Sequence, residues 1–267
     1  PYTLKDYKEL TRNPVVMGPL GANIGTKEWE LKRLLPKFED NVKAVDKTKY
    51  VKINKLEQVE RLFERLSFEE YVGISYVKFS DNDTDGQLDL FSKDELRLLA
   101  LSDRKECHVV DLSDEISEAY IINALYDLSD KCSLISFNLK DSLYDFPNLN
   151  RDKCVDVSLA FYLFNPTKKE YEYADIASEY LNITLPDREE LVGKKGVASS
   201  YDSNKENVIT YICNEAYVAC NAYIKVLPEL TGEYNNLYYN IEMPLLYTLY
   251  DMENEGITLD RQELEEY

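Results

Sequence analysis

Tyr71-Val-Gly-Ile-Ser-Tyr-Val-Lys-Phe-Ser80 is the stretch on which the reading of this chain turns. Its β-branched and aromatic residues predict the first and central strand of a mixed sheet, and the flanking segments read as elements laid around it. Upstream, Val51 and Ile53 alternate with lysines as a short strand, and Leu56, Val59, Leu62, Phe63 and Leu66 recur at helical spacing. Downstream, Leu96–Leu101 and Cys107–Leu112 are apolar-rich runs separated by the polar Ser102-Asp-Arg-Lys-Glu106, which predicts a meander of three antiparallel strands. Ser113 is the expected cap of the next helix, with Asp114 and Glu115 in its first turn and Ile121, Leu125 and Leu128 as its buried stripe. Cys132–Phe137 then reads as a buried strand parallel to the first. A strand, a crossover helix and a second parallel strand describe an α/β sandwich.

From there on the pattern is helical. A helix over Val155–Phe164 ends at Asn165-Pro166, and Tyr173, Ala177, Tyr180 and Leu181 mark another. Ser203-x-x-Glu206 is read as a capping box for a long helix carrying Ile209, Ile212, Ala216, Ala219, Tyr223 and Val226. The last helix, around Tyr238–Glu255, contains Pro244 and ends at Gly256, the expected left-handed cap. Asp260-x-x-Glu263 begins a further helix, so the chain is expected to end inside a larger protein. Residues 1–48 mix turn formers with the short amphipathic piece Lys27-Glu-Trp-Glu-Leu-Lys-Arg-Leu-Leu-Pro36, the only one with a tryptophan, and read as a connector that packs on a neighbour.

The 267 residues and 44% hydrophobic content suit a folded domain with one sizeable core. Against 31 basic residues stand 50 acidic ones, a net charge of −19 that repels a phosphate backbone, since nucleic-acid affinity rests on Lys and Arg. Contact with DNA is therefore expected only through other parts of a longer protein. Five cysteines without a CxxC pair and the single His108 argue against an ordinary zinc site, and His108 is assigned no role. No apolar run approaches the roughly 18 residues needed to span a bilayer, and no signal segment opens the chain. A cytoplasmic, monomeric fragment without membrane contact is expected.

The C-terminal text Ile241-Glu-Met-Pro-Leu-Leu-Tyr-Thr-Leu-Tyr-Asp-Met-Glu-Asn-Glu-Gly-Ile-Thr-Leu-Asp260 resembles the junction between the 3′–5′ exonuclease domain and the polymerase thumb in bacterial family A DNA polymerases, the DNA polymerase I family. Ala174-Asp-Ile-Ala-Ser-Glu-Tyr-Leu181 and Gly193-Lys-Lys-Gly196 are similar to that family's helix and Gly-Lys-Gly loop, in the same order. The resemblance implies an α/β, ribonuclease-H-like exonuclease fold with a mixed β-sheet flanked by helices: a three-strand antiparallel meander plus a parallel strand. It also implies the segments 1–48, a connector and end of a preceding 5′ nuclease domain; 49–236, the exonuclease-like domain; and 237–267, the truncated start of the thumb. The implied partner is the remainder of a polymerase chain engaged in DNA replication and repair synthesis.

Active members of the family hold two Mg²⁺ or Mn²⁺ ions with four carboxylates from three motifs. Two cations activate a water and stabilise the leaving oxygen, and only several oxygen ligands balance that charge. Carried over residue by residue, the first motif's Asp-x-Glu falls on Ser75 and Val77. The second motif's Asn and Asp fall on Asn138 and Ser142, and the third motif's Tyr and Asp fall on Tyr211 and Glu215. One acidic position of four remains, lengthened by a methylene, so the exonuclease site is expected to be inactive and to hold no metal. Asp141 would need a rotation of about 100° on its helix to substitute for Ser142.

Two alternatives belong to other classes. A weakly active nuclease would recruit Asp141, Glu215 and Asp156. A calcium-binding interaction module would use Asp81, Asp83, Asp85, Gln87 and Asp89, which with Gly86 copy the first positions of an EF-hand loop, although Ser92 stands where a bidentate Glu belongs. An acidic, solvated connection between strands explains the same residues. Gly193-Lys-Lys-Gly196 reads either as a phosphate contact or as a solvated loop.

Overall fold

The computed structural model of the chain describes residues 50–79, 94–112, 115–168, 171–194 and 196–258. The expected connector 1–48, the calcium-type loop 81–89 and the helix start at Asp260 lie outside the described residues, as do Ser113 and Asp114. The strands are β1 Tyr50–Ile53, β2 Tyr71–Phe79, β3 Glu95–Ser102, β4 Cys107–Asp111, β5 Ser133–Ser136 and β6 Cys154–Asp156. They form one sheet in the order β1-β4-β3-β2-β5-β6. The expected meander is there, with β3 antiparallel to β2 and to β4, and β5 runs parallel to β2. Two parallel pairings extend it, β1 on β4 and β6 on β5.

The helices are α1 Leu56–Leu66, α2 Glu118–Ser129, α3 Leu139–Asp145, α4 Val157–Phe164, α5 Tyr173–Ile176, α6 Arg188–Val192, α7 Val197–Val226, α8 Gly232–Leu237 and α9 Met243–Glu255. Strand alternation sends Val72 and Ile74 of β2 to one side of the sheet and Gly73, Ser75, Val77 and Phe79 to the other. The first side buries the apolar stripes of α1 and α2, with Val59, Leu66, Ile121 and Leu125 fully enclosed. Burying each such side chain contributes about 1.5–3 kcal/mol. On the second side Val77, Phe79, Leu98, Ala100 and Val109 meet Ile209, Ile212, Cys213 and Ala216 of α7. The long helix therefore lies across the face that the first motif occupies.

Several local expectations need correction. Residues 154–156 form an edge strand and α4 begins only at Val157, because Asp156 turns its side chain back to accept from Leu159 N at 3.0 Å and so caps the helix. Helix α2 is capped by Ser117, whose Oγ accepts from Tyr120 N at 3.3 Å. The Ser203 box does not form: Ser203 Oγ donates to the carbonyls of Ser199 and Ser200, and the break falls at Asn204 (φ −154°, ψ 69°), whose side chain accepts from Asn207 N. The chain is helical on both sides of that kink. Gly256 has the positive φ expected of a terminator, but its ψ of −165° is not the left-handed helical value. Pro244 sits in the first turn of α9, where its missing N–H costs nothing.

One buried polar cluster ties α1 to the β3–β4 turn. Arg65 Nη1 stands 2.5 Å from Asp103 Oδ2 and its Nη2 stands 2.6 Å from His108 Nε2. Asp103 Oδ1 accepts from Lys105 N and Glu106 N at 2.7 and 2.8 Å. A guanidinium only donates, so Nε2 must accept and the imidazole proton sits on Nδ1, which is buried without a partner among the described residues. Burial first, and then the Arg65 charge, hold His108 below the ordinary histidine range. With the folded-state value depressed, the unfolded chain takes up the proton first. The contribution of His108 is present above about pH 6.5 and is lost as pH falls below it. In urea titrations, the stability difference between wild type and His108→Gln is expected to shrink on going from about pH 7 to about pH 5. A difference that stays constant over that range contradicts the assignment.

Candidate functional site

The site is set by how closely α7 approaches β2. A Cβ on Gly73 would stand 2.0 Å from the carbonyl oxygen of Ala216 and 3.0 Å from Cys220 Cβ, so only glycine lets the helix backbone rest there. Two residues along the same face, the Ser75 hydroxyl donates to Glu215 Oε2. One helical turn back, Tyr211 Oη donates to Glu215 Oε1 at 3.3 Å. The residues carried over from the first and third motifs are thus brought together, by the register of α7 on β2. Tyr50 Oη adds a bond to Asn214 Oδ1, fixing α7 against the edge strand β1.

Burial raises the Glu215 carboxyl above the usual range, and the hydrogen bonds from Ser75 and Tyr211 and the nearby Arg188 charge oppose that rise. The Tyr211 hydroxyl is likewise pushed up, by burial and then by the Glu215 charge. Beside them opens a pocket of about 530 Å³ lined by Phe137, Asn138, Ser158, Tyr171, Glu172, Tyr173, Arg188, Tyr211 and Glu215. Asn138 enters α3 in the left-handed conformation (φ 52°, ψ 56°) and is exposed at its rim. The rings of Tyr173 and Tyr211 lie 5.8 Å apart at 55°.

The other motif positions are placed differently. Val77 is 3% exposed and belongs wholly to the apolar cluster under α7. Ser142 is buried on α3; Tyr76 Oη donates to Asp145 Oδ2 at 2.7 Å, and Lys78 pairs with Asp145 Oδ1 at 2.8 Å. Asp141 is exposed on the same helix. Asp156 is 3% exposed, and its two oxygens accept from Leu139 N at 2.7 Å and Leu159 N at 3.0 Å, the first turns of α3 and α4. Burial pushes its carboxyl up to about 6 despite those amides. Among the described residues, no group of three or more His, Cys, Asp or Glu side chains stands close enough to share a metal ion.

Sequence reasoning missed Arg188, the cation of the pocket, and Tyr173. Neither stands in a motif, and only the loop before α6 and the position of α5 bring them to α7. In the Gly193–Gly196 loop Lys194 is exposed and pairs with Glu189 at 3.4 Å, which fits a solvated loop; Lys195 lies outside the described residues. The five cysteines are free and buried.

No protein-family model matches the chain. Over 156 residues, 58% of the chain, it is 28% identical to a DNA polymerase I from Caldicellulosiruptor bescii, and the match spans only 15% of that protein. Among solved structures, the POL domain of Pol1 from M. smegmatis, in complex with DNA primer-template and dNTP, superposes with a TM-score of 0.54 at 20% identity over 80% of this chain and 34% of that one. The catalytic core of RRP6 from Trypanosoma brucei gives 0.56 at 14% identity, over 86% and 61% of the two chains. The EXO domain of Nibbler from Aedes aegypti gives 0.51 at 11% identity and is covered over 99% of its length by 77% of this chain. The fold is accordingly that of the ribonuclease-H-like exonuclease domains, and the chain resembles an exonuclease-like domain of a polymerase I. Among the described residues no helix is long and apolar enough to cross a membrane.

Proposed function

We propose that this chain is the exonuclease-like domain of a DNA polymerase I that has lost 3′–5′ hydrolysis and serves as a structural platform for the polymerase portion. The observation that carries the reading is the Ser75–Glu215 hydrogen bond. It supports the motif alignment, because residues assigned to two separate motifs meet, and at their meeting point a neutral hydroxyl stands where a metal-binding carboxylate is needed. A serine hydroxyl donating to Glu215 consumes one of the oxygens that a cation would require. Val77 offers only methyl groups, and a charge there would be buried in an apolar cluster.

Hydrolysis of a phosphodiester by this fold needs two cations, held between several carboxylates, to activate water and to stabilise the leaving oxygen. What remains can bind and orient: aromatic walls at Tyr171, Tyr173 and Tyr211, Arg188 as a fixed positive charge, and Glu215 held by two hydroxyls. The reading of a weakly active nuclease with Asp141, Glu215 and Asp156 finds no support, since both Asp156 oxygens cap helices and Asp141 faces solvent. The platform role draws support from α9, which is tied to α3 and to the turn before β6 by two ion pairs. Contact with DNA then comes through the rest of a longer protein, and no resident cofactor is expected.

The reading is checked by titrating Mn²⁺ into the purified chain and following free Mn²⁺ by electron paramagnetic resonance. No saturable binding in the micromolar range is expected. Two saturable micromolar ions per chain, lost in Glu215→Gln, would overturn it.

A further inference from the structure

The last two turns of α9 are helical against their own sequence. Asp251, Glu253 and Glu255 crowd the end where the helix dipole is negative, and the last turn holds no basic residue. Asp251 and Glu255 also stand four residues apart, a like-charge pair on one face of the helix. Gly256 N donates to the Met252 carbonyl at 3.1 Å, but the glycine does not take the left-handed helical conformation that closes many helices. Packing offsets little of this: Met243 and Leu246 anchor the first half of α9, whereas within Tyr247–Glu255 only Tyr250 is buried.

What holds these turns is a clasp from outside the helix. Arg151, in the turn before β6, pairs its guanidinium with both oxygens of Asp251 at 2.7 and 2.9 Å and lies over the rings of Tyr247 and Tyr250, 5.4 and 5.3 Å from their centroids. Its carbonyl accepts from Tyr247 Oη at 2.6 Å. On α3, Lys140 Nζ stands 2.7 and 2.9 Å from the Glu253 oxygens, and the Tyr144 hydroxyl donates to the same carboxylate. Each cation neutralises an acid that the helix end disfavours, so closing the clasp and winding the helix are one event. We propose that Thr248–Glu255 is a strap that stays wound only while Arg151 and Lys140 hold it, and that it unwinds and rewinds without the rest of the domain. Unwound, it uncovers Lys140, Tyr144 and Arg151. The helix up to Tyr247 stays in place, since Met243 and Leu246 belong to the core and Tyr238, in the helical turn before α9, is fully buried with its hydroxyl on the Asp156 carbonyl at 2.7 Å. The inference is independent of whether the exonuclease site is active.

Hydrogen exchange of the full chain, read by mass spectrometry, tests this. In wild type the backbone amides of residues 250–256 are expected to exchange well before those of β2 and α7. In the double variant Lys140→Gln/Arg151→Gln they are expected to exchange about tenfold faster, because two charge-assisted contacts are lost, while β2 and α7 keep their wild-type rates. Arg151→Lys, which keeps the charge but gives up the two-pronged bond, is expected to fall between. Glu255→Lys removes the like-charge pair with Asp251 and suits the helix dipole, so it is expected to slow exchange of the strap about threefold; it serves as the test if the double variant does not fold. Strap amides as slow in the double variant as in wild type overturn the proposal. Strap amides that lose protection only together with those of β2 and α7 overturn it equally, as does Glu255→Lys with unchanged strap exchange.

Discussion

Gly73→Val is expected to leave the chain largely unfolded, and Gly73→Ala to cost at least about 3 kcal/mol in urea titrations. Inserting a methylene into a packed core ordinarily costs about 1–3 kcal/mol, because side chains nearby rotate away. Here the added carbon meets the Ala216 carbonyl oxygen at 2.0 Å, and Cys220 Cβ stands behind it at 3.0 Å. Backbone in the middle of a long helix cannot rotate away. Either α7 lifts from the sheet, opening the contact of Ile209, Ile212 and Ala216 with Val77 and Ala100, or β2 buckles. Ser75→Ala is the control on the same face: it removes one hydrogen bond and fits the space, at a cost of about 1 kcal/mol. A Gly73→Ala variant as stable as wild type contradicts the packing that brings Ser75 to Glu215.

Asp156→Ala is expected to be the second most damaging change, at about 2–4 kcal/mol, since it strands the buried amide of Leu139 and the part-buried amide of Leu159 at two helix starts. Asp156→Asn keeps one acceptor oxygen and is expected to lose roughly half as much. The two variants also separate capping from charge. Burial lifts the Asp156 carboxyl to about 6 in the folded chain, above its unfolded value near 4. The folded state therefore holds the proton more tightly, and the Asp156 contribution is fully present below about pH 4 and lost as pH rises through about 6. The stability of wild type relative to Asp156→Asn should fall across that window and level off above it. A rise across the window instead would mean that the amides outweigh burial and that Asp156 is held as an anion.

The strands of the meander and the β2–β5 pairing were legible because Val, Ile, Leu and aromatic residues in Tyr71–Phe79 and its neighbours leave few helical alternatives. Strand β6 was not. Its three residues run straight into the apolar Val157–Phe164, and nothing within Cys154-Val-Asp156 separates the end of a strand from the start of a helix. Only β5 alongside and the backward reach of Asp156 decide it. At Ser203 the local sequence satisfies a capping pattern, yet helix on both sides of Asn204 leaves Ser203 bonded to carbonyls of the preceding turn. For the site, Ser75, Tyr211 and Glu215 were named by position in the chain and meet in space. Ser142 and Val77 were named in the same way, but one is buried on α3 and the other is absorbed into core. Arg188 carries no spacing signal at all, because its place depends on a loop and not on a periodic element.

The most direct test of the account is hydrolysis of 3′-labelled single-stranded DNA by the purified chain with Mg²⁺ or Mn²⁺. With the Ser75 hydroxyl on Glu215 and no carboxylate at Val77 or Ser142, release of labelled nucleotide is predicted to stay at the level of a metal-free control. Metal-dependent, stepwise shortening of the strand, abolished by Glu215→Gln, would contradict it.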